Sequence, residues 1–135
     1  MNPTLRNILA FIAGLIVGSL VNMALIRIGM SAVPPPPGAD MNTAEGIAAA
    51  MPLMETKHFI FPFLAHALGT LVGAWIAARL AATHKMKFAM GIGILFLIGG
   101  ISMVLQVPSP AWFTAVDLLL AYLPMAYLGG KLAVK

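Results

Sequence analysis

Residues 8–29 read ILAFIAGLIVGSLVNMALIRIG, an apolar stretch in which Arg27 is the only charged residue. Three further apolar stretches cover residues 59–78, 88–107 and 111–130. Each is close to the roughly 20 residues that an α-helix needs to cross the hydrocarbon core of a bilayer. In lipid, only a helix satisfies all of its backbone polar groups within one segment, so these stretches predict transmembrane helices.

The composition agrees with a membrane protein, because 61% of the residues are apolar and only 9% are charged. Soluble domains usually carry about 25% charged residues. The net charge of +4 does not favour nucleic acid, because the basic residues fall at the ends of the apolar stretches. The absence of cysteine excludes disulfides and thiol chemistry. We therefore predict one all-α domain over residues 1–135, a four-helix transmembrane bundle.

The distribution of Lys and Arg predicts the orientation. If both termini lie on one side of the membrane, that side carries six basic residues: Arg6, Arg79, Lys85, Lys87, Lys131 and Lys135. The other side carries Lys57 and Arg27, together with three acidic residues. Because the side richer in Lys and Arg is normally cytoplasmic, we predict that both termini are cytoplasmic. Residues 8–29 are too long for the apolar region of a signal peptide, so we expect them to remain as the first span.

The first link, over residues 31–58, is the only long one and is predicted to be extracytoplasmic. It opens with Pro34–Pro37, which favours a stiff polyproline II segment. Asn42 is then predicted to cap a short helix with Glu45 at its third position. Pro52 is expected to end or kink that helix. The other two links are short, so the spans that they join are expected to be antiparallel neighbours.

Small residues recur at every fourth position in the first two spans, as Ala10, Gly14, Gly18 and then Ala65, Gly69, Gly73, Ala77. Asn22 continues the first stripe. Such stripes allow close helix approach in lipid. In the fourth span, Pro124 predicts a kink whose freed carbonyl could be satisfied by Tyr122 or Ser102.

Polar residues within the spans predict an intramembrane layer, made up of Asn22, His66, Thr70, Ser102 and Asp117. At a rise of 1.5 Å per residue, Asn22, His66 and Asp117 each lie roughly 10 Å below the outer boundary. Asp117 is the only acidic residue in any span. A buried unpaired charge is costly in lipid, so Asp117 should face inward and find a partner. His66 is the predicted partner, with Asn22, Thr70 and Tyr122 as further donors.

The layer has two interpretations. In the first, His66 and Asp117 form a protonatable site near an outward cavity, because histidine titrates near neutral pH and such pairs occur in proton relays. In the second, the layer only holds helices together, with hydrogen bonds that average about 0.6 kcal/mol in membranes. The soft ligands Met51, Met54 and His58 would suit Cu(I), but Pro52 interrupts their spacing. We predict no metal and no cofactor.

Residues 57–70, KHFIFPFLAHALGT, together with the proline-rich link and the segment around Asp117, resemble a family of small, uncharacterised bacterial four-helix membrane proteins. The resemblance covers most of the chain. It implies a location in the bacterial inner membrane, and it implies no activity and no site residue.

The sequence alone therefore predicts an integral membrane protein, foremost a structural or accessory component of a membrane. Its predicted partners are the lipid bilayer and a homo-oligomer or larger membrane complex, with no nucleic acid. The alternative is a small proton-linked transporter or channel that uses His66 and Asp117. An enzyme is least favoured, because no arrangement of a nucleophile and a base is readable.

Overall fold

The chain is entirely helical in a computed structural model that describes all residues from 1 to 135. Its α-helices are α1 (Pro3–Ala32), α2 (Ala44–Ala50), α3 (Ile60–Leu80), α4 (Lys85–Gln106), α5 (Ala111–Leu120) and α6 (Leu123–Val134), and two 3₁₀ turns cover Met51–Leu53 and Thr56–Phe59. Four helical segments are long and apolar enough to cross a membrane: α1, α3 with the turn before it, α4, and α5 with α6. The predicted helical bundle is confirmed. Helix α3 is central, in contact with α1, α4 and α6.

Helix α1 is longer than the predicted span, because its start is capped ahead of the apolar stretch. The Asn2 side-chain oxygen accepts hydrogen bonds from the backbone N–H groups of Thr4 (2.7 Å) and Leu5 (3.4 Å). Pro3 follows the cap. Its ring fixes φ at a helical value, and it has no N–H group to leave unpaired. The helix therefore runs from Pro3 to Ala32 and extends beyond residues 8–29 at both ends.

The closest helix pair is α1 and α3, whose backbones approach at the glycines of the two small-residue stripes. A Cβ added at Gly14 would lie 2.6 Å from the Gly73 carbonyl oxygen, and one at Gly18 would lie 2.7 Å from that of Gly69. The relation is reciprocal, since a Cβ at Gly73 would lie 2.8 Å from the Gly14 carbonyl oxygen. These positions leave no room for any side chain.

The link between α1 and α3 contains the predicted short helix, α2, but its cap is shifted by one residue. Thr43, not Asn42, is the N-cap, and its Oγ1 accepts the N–H of Gly46 at 3.0 Å. The backbone N–H of Asn42 instead donates to Asp40 at 3.0 Å. Glu45 consequently occupies the second helical position rather than the third. Pro52 acts as predicted, because α2 ends at Ala50 and a 3₁₀ turn follows.

The fourth span is broken rather than kinked. Helix α5 ends at Leu120 and α6 begins at Leu123, with Pro124 in its first turn. The freed carbonyl is not satisfied as predicted, because both expected donors are directed elsewhere. The Tyr122 hydroxyl points toward Asp117 at 3.5 Å, and the Ser102 hydroxyl accepts a hydrogen bond from Gln106 at 3.1 Å.

At the end of the bundle that carries both termini, polar side chains cap the turn between α3 and α4. Asn7, which is only 8% exposed, accepts the backbone N–H groups of Ala82 (2.7 Å) and Thr83 (3.2 Å). Its amide nitrogen donates to Thr83 Oγ1 at 2.9 Å. Lys85 Nζ donates to the carbonyls of Ala78 (3.1 Å) and Ala81 (2.6 Å) at the end of α3. One buried asparagine therefore ties α1 to the turn.

We expect Asn7→Ala to lower the free energy of unfolding by about 1–3 kcal/mol, because two backbone N–H groups would lose their acceptor. Equilibrium unfolding in mixed micelles measures the effect. Asn42→Ala is the matched control, since Asn42 is exposed and its side chain makes no hydrogen bond. That control should change stability by no more than about 0.5 kcal/mol. Equal effects of the two substitutions would contradict the capping role of Asn7.

Candidate functional site

His66 on α3 and Asp117 on α5 form a hydrogen-bonded pair inside the bundle. His66 Nδ1 lies 2.8 Å from one carboxylate oxygen of Asp117 and 3.0 Å from the other. Asp117 is 4% exposed, whereas the side chain of His66 is 28% exposed. The carboxylate is thus enclosed by protein, and the imidazole is its partner on the accessible side.

The pair determines which nitrogen of His66 is free. An ionised carboxylate only accepts hydrogen bonds, so the proton lies on Nδ1 and is donated to Asp117. Nε2 makes no hydrogen bond within the protein and is not buried. In a neutral imidazole this nitrogen carries a lone pair, and in the protonated ring it carries a second N–H. His66 can therefore offer an acceptor to a ligand, or take up a proton there.

Tyr122 completes the contact group and occupies the break between α5 and α6. Its ring stacks on His66, with centroids 5.8 Å apart and planes inclined by 23°. Gly100 on α4 makes room for this ring, since a Cβ there would lie 2.7 Å from the Tyr122 hydroxyl and 2.9 Å from Cε2. The helix break and the glycine together set the position of Tyr122.

Gly100→Ala should lower the free energy of unfolding, because overpacking of this kind costs about 1–3 kcal/mol and exceeds the gain in helix propensity. Gly99→Ala is the matched control, since a Cβ at Gly99 meets nothing within 4 Å. It should raise stability by about 0.5–1 kcal/mol, the usual advantage of alanine in a helix. Equilibrium unfolding of the two variants tests the contact, and a gain for both would argue against it.

The structure brings together only part of the predicted polar layer. Asn22 and Thr70 do not reach Asp117, and each has a buried side-chain oxygen without a hydrogen-bond partner. Ser102 is exposed on the outer face of α4 and bonds only to Gln106. Ser102 therefore does not join the group, because residues at similar depth can face opposite ways around a helix axis. The contact group consists of His66, Asp117 and Tyr122.

A cavity of about 620 Å³ connects this group with the long link, and we call it the link cavity. Its inner end is lined by His66, Asp117, Tyr122 and Asn22. Its opposite end is lined by the link and the turn before α3, including Pro35, Ile47 and His58. The link that follows α1 therefore folds back beside the bundle and lines the same cavity as His66.

Methionine and aromatic side chains make up much of the wall of the link cavity. Half of the ten methionines in the chain line it: Met30, Met41, Met51, Met54 and Met103. Aromatic rings are contributed by Phe59, Phe61, Phe96 and Phe113, in addition to Tyr122. Methionine side chains adapt their shape and are common at surfaces that accept varied apolar ligands. From the sequence, Met51 and Met54 were considered only as metal ligands, and the other methionines and the phenylalanines of these walls were assigned no role.

His58 holds the link in place and is not free to bind a ligand. Its Nδ1 accepts the backbone N–H of Glu55 at 2.8 Å, and its Nε2 donates to the Pro34 carbonyl at 3.1 Å. Both ring nitrogens are therefore used, which removes the imidazole from the Cu(I) hypothesis. No group of three or more metal-binding His, Asp or Glu residues exists in the structure.

These features define the class of protein as an all-helical bundle with four membrane-capable helices and a hydrogen-bonded His–Asp pair at the inner end of a cavity. No protein-family model, no curated protein and no solved structure matches this chain.

Proposed function

We propose that this protein is an integral membrane protein whose link cavity binds a small molecule against the His66–Asp117 pair, as a small transporter would. The observation that carries the proposal is the position of this pair at the inner end of a 620 Å³ cavity. Ligand sites are typically clefts of about 300–1,000 Å³ with apolar walls and a few convergent polar groups. Ionisable residues within a membrane span most often mark the path of a substrate or proton.

The proposal accounts for an arrangement that packing alone does not require. A buried carboxylate with a polar partner is rarely more stable than apolar residues of the same size, because both groups lose their hydration. Here one partner also keeps a ring nitrogen free beside a cavity. Proton linkage would follow if His66 took up a proton on that nitrogen when the ligand leaves.

The test is to extract the native particle in mild detergent and determine its mass and composition. We expect a bound small molecule in the wild-type protein and none in Asp117→Asn. Liposomes that contain the wild-type protein should also dissipate an imposed pH gradient faster than those with Asp117→Asn. The proposal would be overturned if the wild-type protein retained no molecule and the two proteins showed no difference in flux.

A structural or accessory role is the second candidate, and the His66–Asp117 contact also favours it. The pair joins α3 to α5, next to the break in the fourth span. For this role, the native particle should contain a second protein in stoichiometric amount or several copies of this chain. Asp117→Asn should then reduce assembly and thermal stability, with no effect on a bound small molecule.

We also propose that the membrane is a bacterial inner membrane and that both termini are cytoplasmic. The support is the basic end of the bundle, where Arg6 bonds to the Leu80 carbonyl (2.7 Å) and Arg79 to that of Ala133 (3.3 Å). The chain has no cysteine, so single-cysteine variants are unambiguous probes. We expect Ala39→Cys to react with an impermeant thiol reagent on intact cells and Thr83→Cys to react only after lysis. The reverse pattern would place the termini outside.

A further inference from the structure

We infer that the ligand of the link cavity is an apolar-bodied primary amine, whose ammonium group binds at the His66–Asp117 end. This inference rests on the proposed function and specifies the chemistry of its ligand. Three properties of the cavity point to it: the acceptor at the inner end, the sign of the charge there, and the apolar and aromatic walls.

The inner end of the cavity needs a hydrogen-bond donor from the ligand. Nδ1 of His66 is occupied by Asp117 at 2.8 Å, so Nε2 presents its lone pair. The Tyr122 hydroxyl is only 3.5 Å from Asp117 and adds a weak contact to the same carboxylate. A ligand that lacks an N–H or O–H group would leave Nε2 without a partner, which costs affinity in an enclosed site.

The charge of the inner end favours a cation. Asp117 is the only acidic residue that lines the cavity, and Lys57 is the only Lys or Arg residue there. Lys57 lies in the turn before α3, is 61% exposed and pairs with Glu55 at 3.4 Å. No fixed cation therefore stands near His66 to receive a carboxylate or phosphate. An ammonium group would both donate to Nε2 and balance the charge of Asp117.

The remaining walls suit an apolar body attached to that ammonium. Phe96 and Tyr122 add aromatic rings to the lining of the cavity, and aromatic rings attract cations. Toward the link, the methionines and Phe59 provide apolar surface of adaptable shape. An alcohol of the same length would meet the same walls and could donate one hydrogen bond, but it would leave the charge of Asp117 unbalanced.

Four probes with a straight chain of ten carbons separate these contributions: decylamine, decanol, decanoate and decyltrimethylammonium. Binding is measured to the full-length protein in phosphatidylcholine nanodiscs, with empty nanodiscs subtracted. We expect decylamine to bind at least about tenfold more tightly than decanol, because a charge-assisted hydrogen bond is roughly twice as strong as a neutral one. Decyltrimethylammonium, a cation without an N–H donor, should bind more weakly than decylamine, and decanoate should bind least.

Asp117→Asn should remove the preference for decylamine over decanol, and Ser102→Ala, on the outer face of α4, should leave it unchanged. Should Asp117→Asn fail to fold, the wild-type protein still provides a test. Decylamine is expected to move the ¹⁵N resonance of His66 Nε2 and to leave that of His84, at the opposite end of the bundle, in place.

If decanol or decanoate bound more tightly than decylamine and that binding depended on Asp117, the assignment of the ligand as an amine would be wrong. The proposed function would still stand. Equal binding of decylamine and decyltrimethylammonium would overturn the role of His66 Nε2 as acceptor. Binding of none of the four probes would overturn both the amine and the binding function.

Discussion

His66→Ala should lower the free energy of unfolding by about 3–5 kcal/mol, the usual effect of leaving a buried charged group without its partner. Asp117 is 4% exposed, and it would lose the imidazole that now lies 2.8 Å from its carboxylate. The Tyr122 hydroxyl is 3.5 Å away and is too distant to replace that hydrogen bond. The loss should exceed the roughly 0.6 kcal/mol of an average hydrogen bond in a membrane, because a full charge is left unpaired.

Equilibrium unfolding in mixed micelles measures this loss, and two further variants separate its causes. Asp117→Asn removes the charge and keeps the shape, so we expect a smaller loss of about 1–3 kcal/mol. The double variant His66→Leu with Asp117→Leu should be close to the wild-type protein in stability, because apolar residues replace buried ion pairs well. If this double variant remains folded but binds no ligand, the His66–Asp117 pair serves binding rather than stability. An effect of His66→Ala no larger than that of Ser102→Ala would contradict the buried pair.

Gly14→Leu is expected to prevent folding of the bundle. Even a Cβ at Gly14 would lie 2.6 Å from the Gly73 carbonyl oxygen and 2.9 Å from the Cβ of Ala77. These atoms belong to the backbone and to the shortest of side chains, so they cannot move aside as a flexible side chain would. Gly14→Ala alone should cost about 1–3 kcal/mol or more. A leucine can be accommodated only if α1 separates from α3.

Gly99→Leu is the matched control for Gly14→Leu, because the space around Gly99 is open. Size-exclusion chromatography and equilibrium unfolding compare the two variants. We expect a single folded species for Gly99→Leu and aggregated or dissociated helices for Gly14→Leu. Recovery of folded Gly14→Leu with normal stability would contradict the close approach of α1 and α3.

The same glycines also determine the shape of the site. Gly69 on α3 lies against Asn22, since a Cβ added at Gly69 would be 3.1 Å from that of Asn22. His66 precedes Gly69 by one helical turn, so the approach of α1 brings Asn22 to the inner end of the link cavity. A variant that separates the helices should therefore lose both stability and ligand binding.

The partnership of His66 and Asp117 was predictable because it depends on depth and charge. Asp117 is the only acidic residue in the spans, and His66 is the one histidine within them. Both fall at a similar distance from the same boundary, and lipid makes an unpaired carboxylate costly. Depth did not determine direction around the helix axis, and Ser102 consequently faces away from the pair. The sequence predicted only a kink at Pro124, whereas the fourth span breaks between Leu120 and Leu123.

The link cavity could not be predicted, since its lining comes from distant parts of the chain. Met30, Met54 and Met103 belong to three different segments and meet only because the link folds back beside the bundle. That fold depends on two hydrogen bonds of His58, one of them to Pro34. The bond to Glu55 is local, but the bond to Pro34 spans 24 residues and has no local signal in the sequence.

The sequence by itself determined the four apolar helices, their approximate ends and the depth of the ionisable pair. These properties follow from the thickness of lipid and from the cost of an unsatisfied polar group, which act on each segment separately. Only the tertiary structure decided which face of each helix is buried, where the fourth span breaks and how the link lines the cavity. These properties depend on many side chains packing at once, and a single glycine or a two-residue break can redirect them.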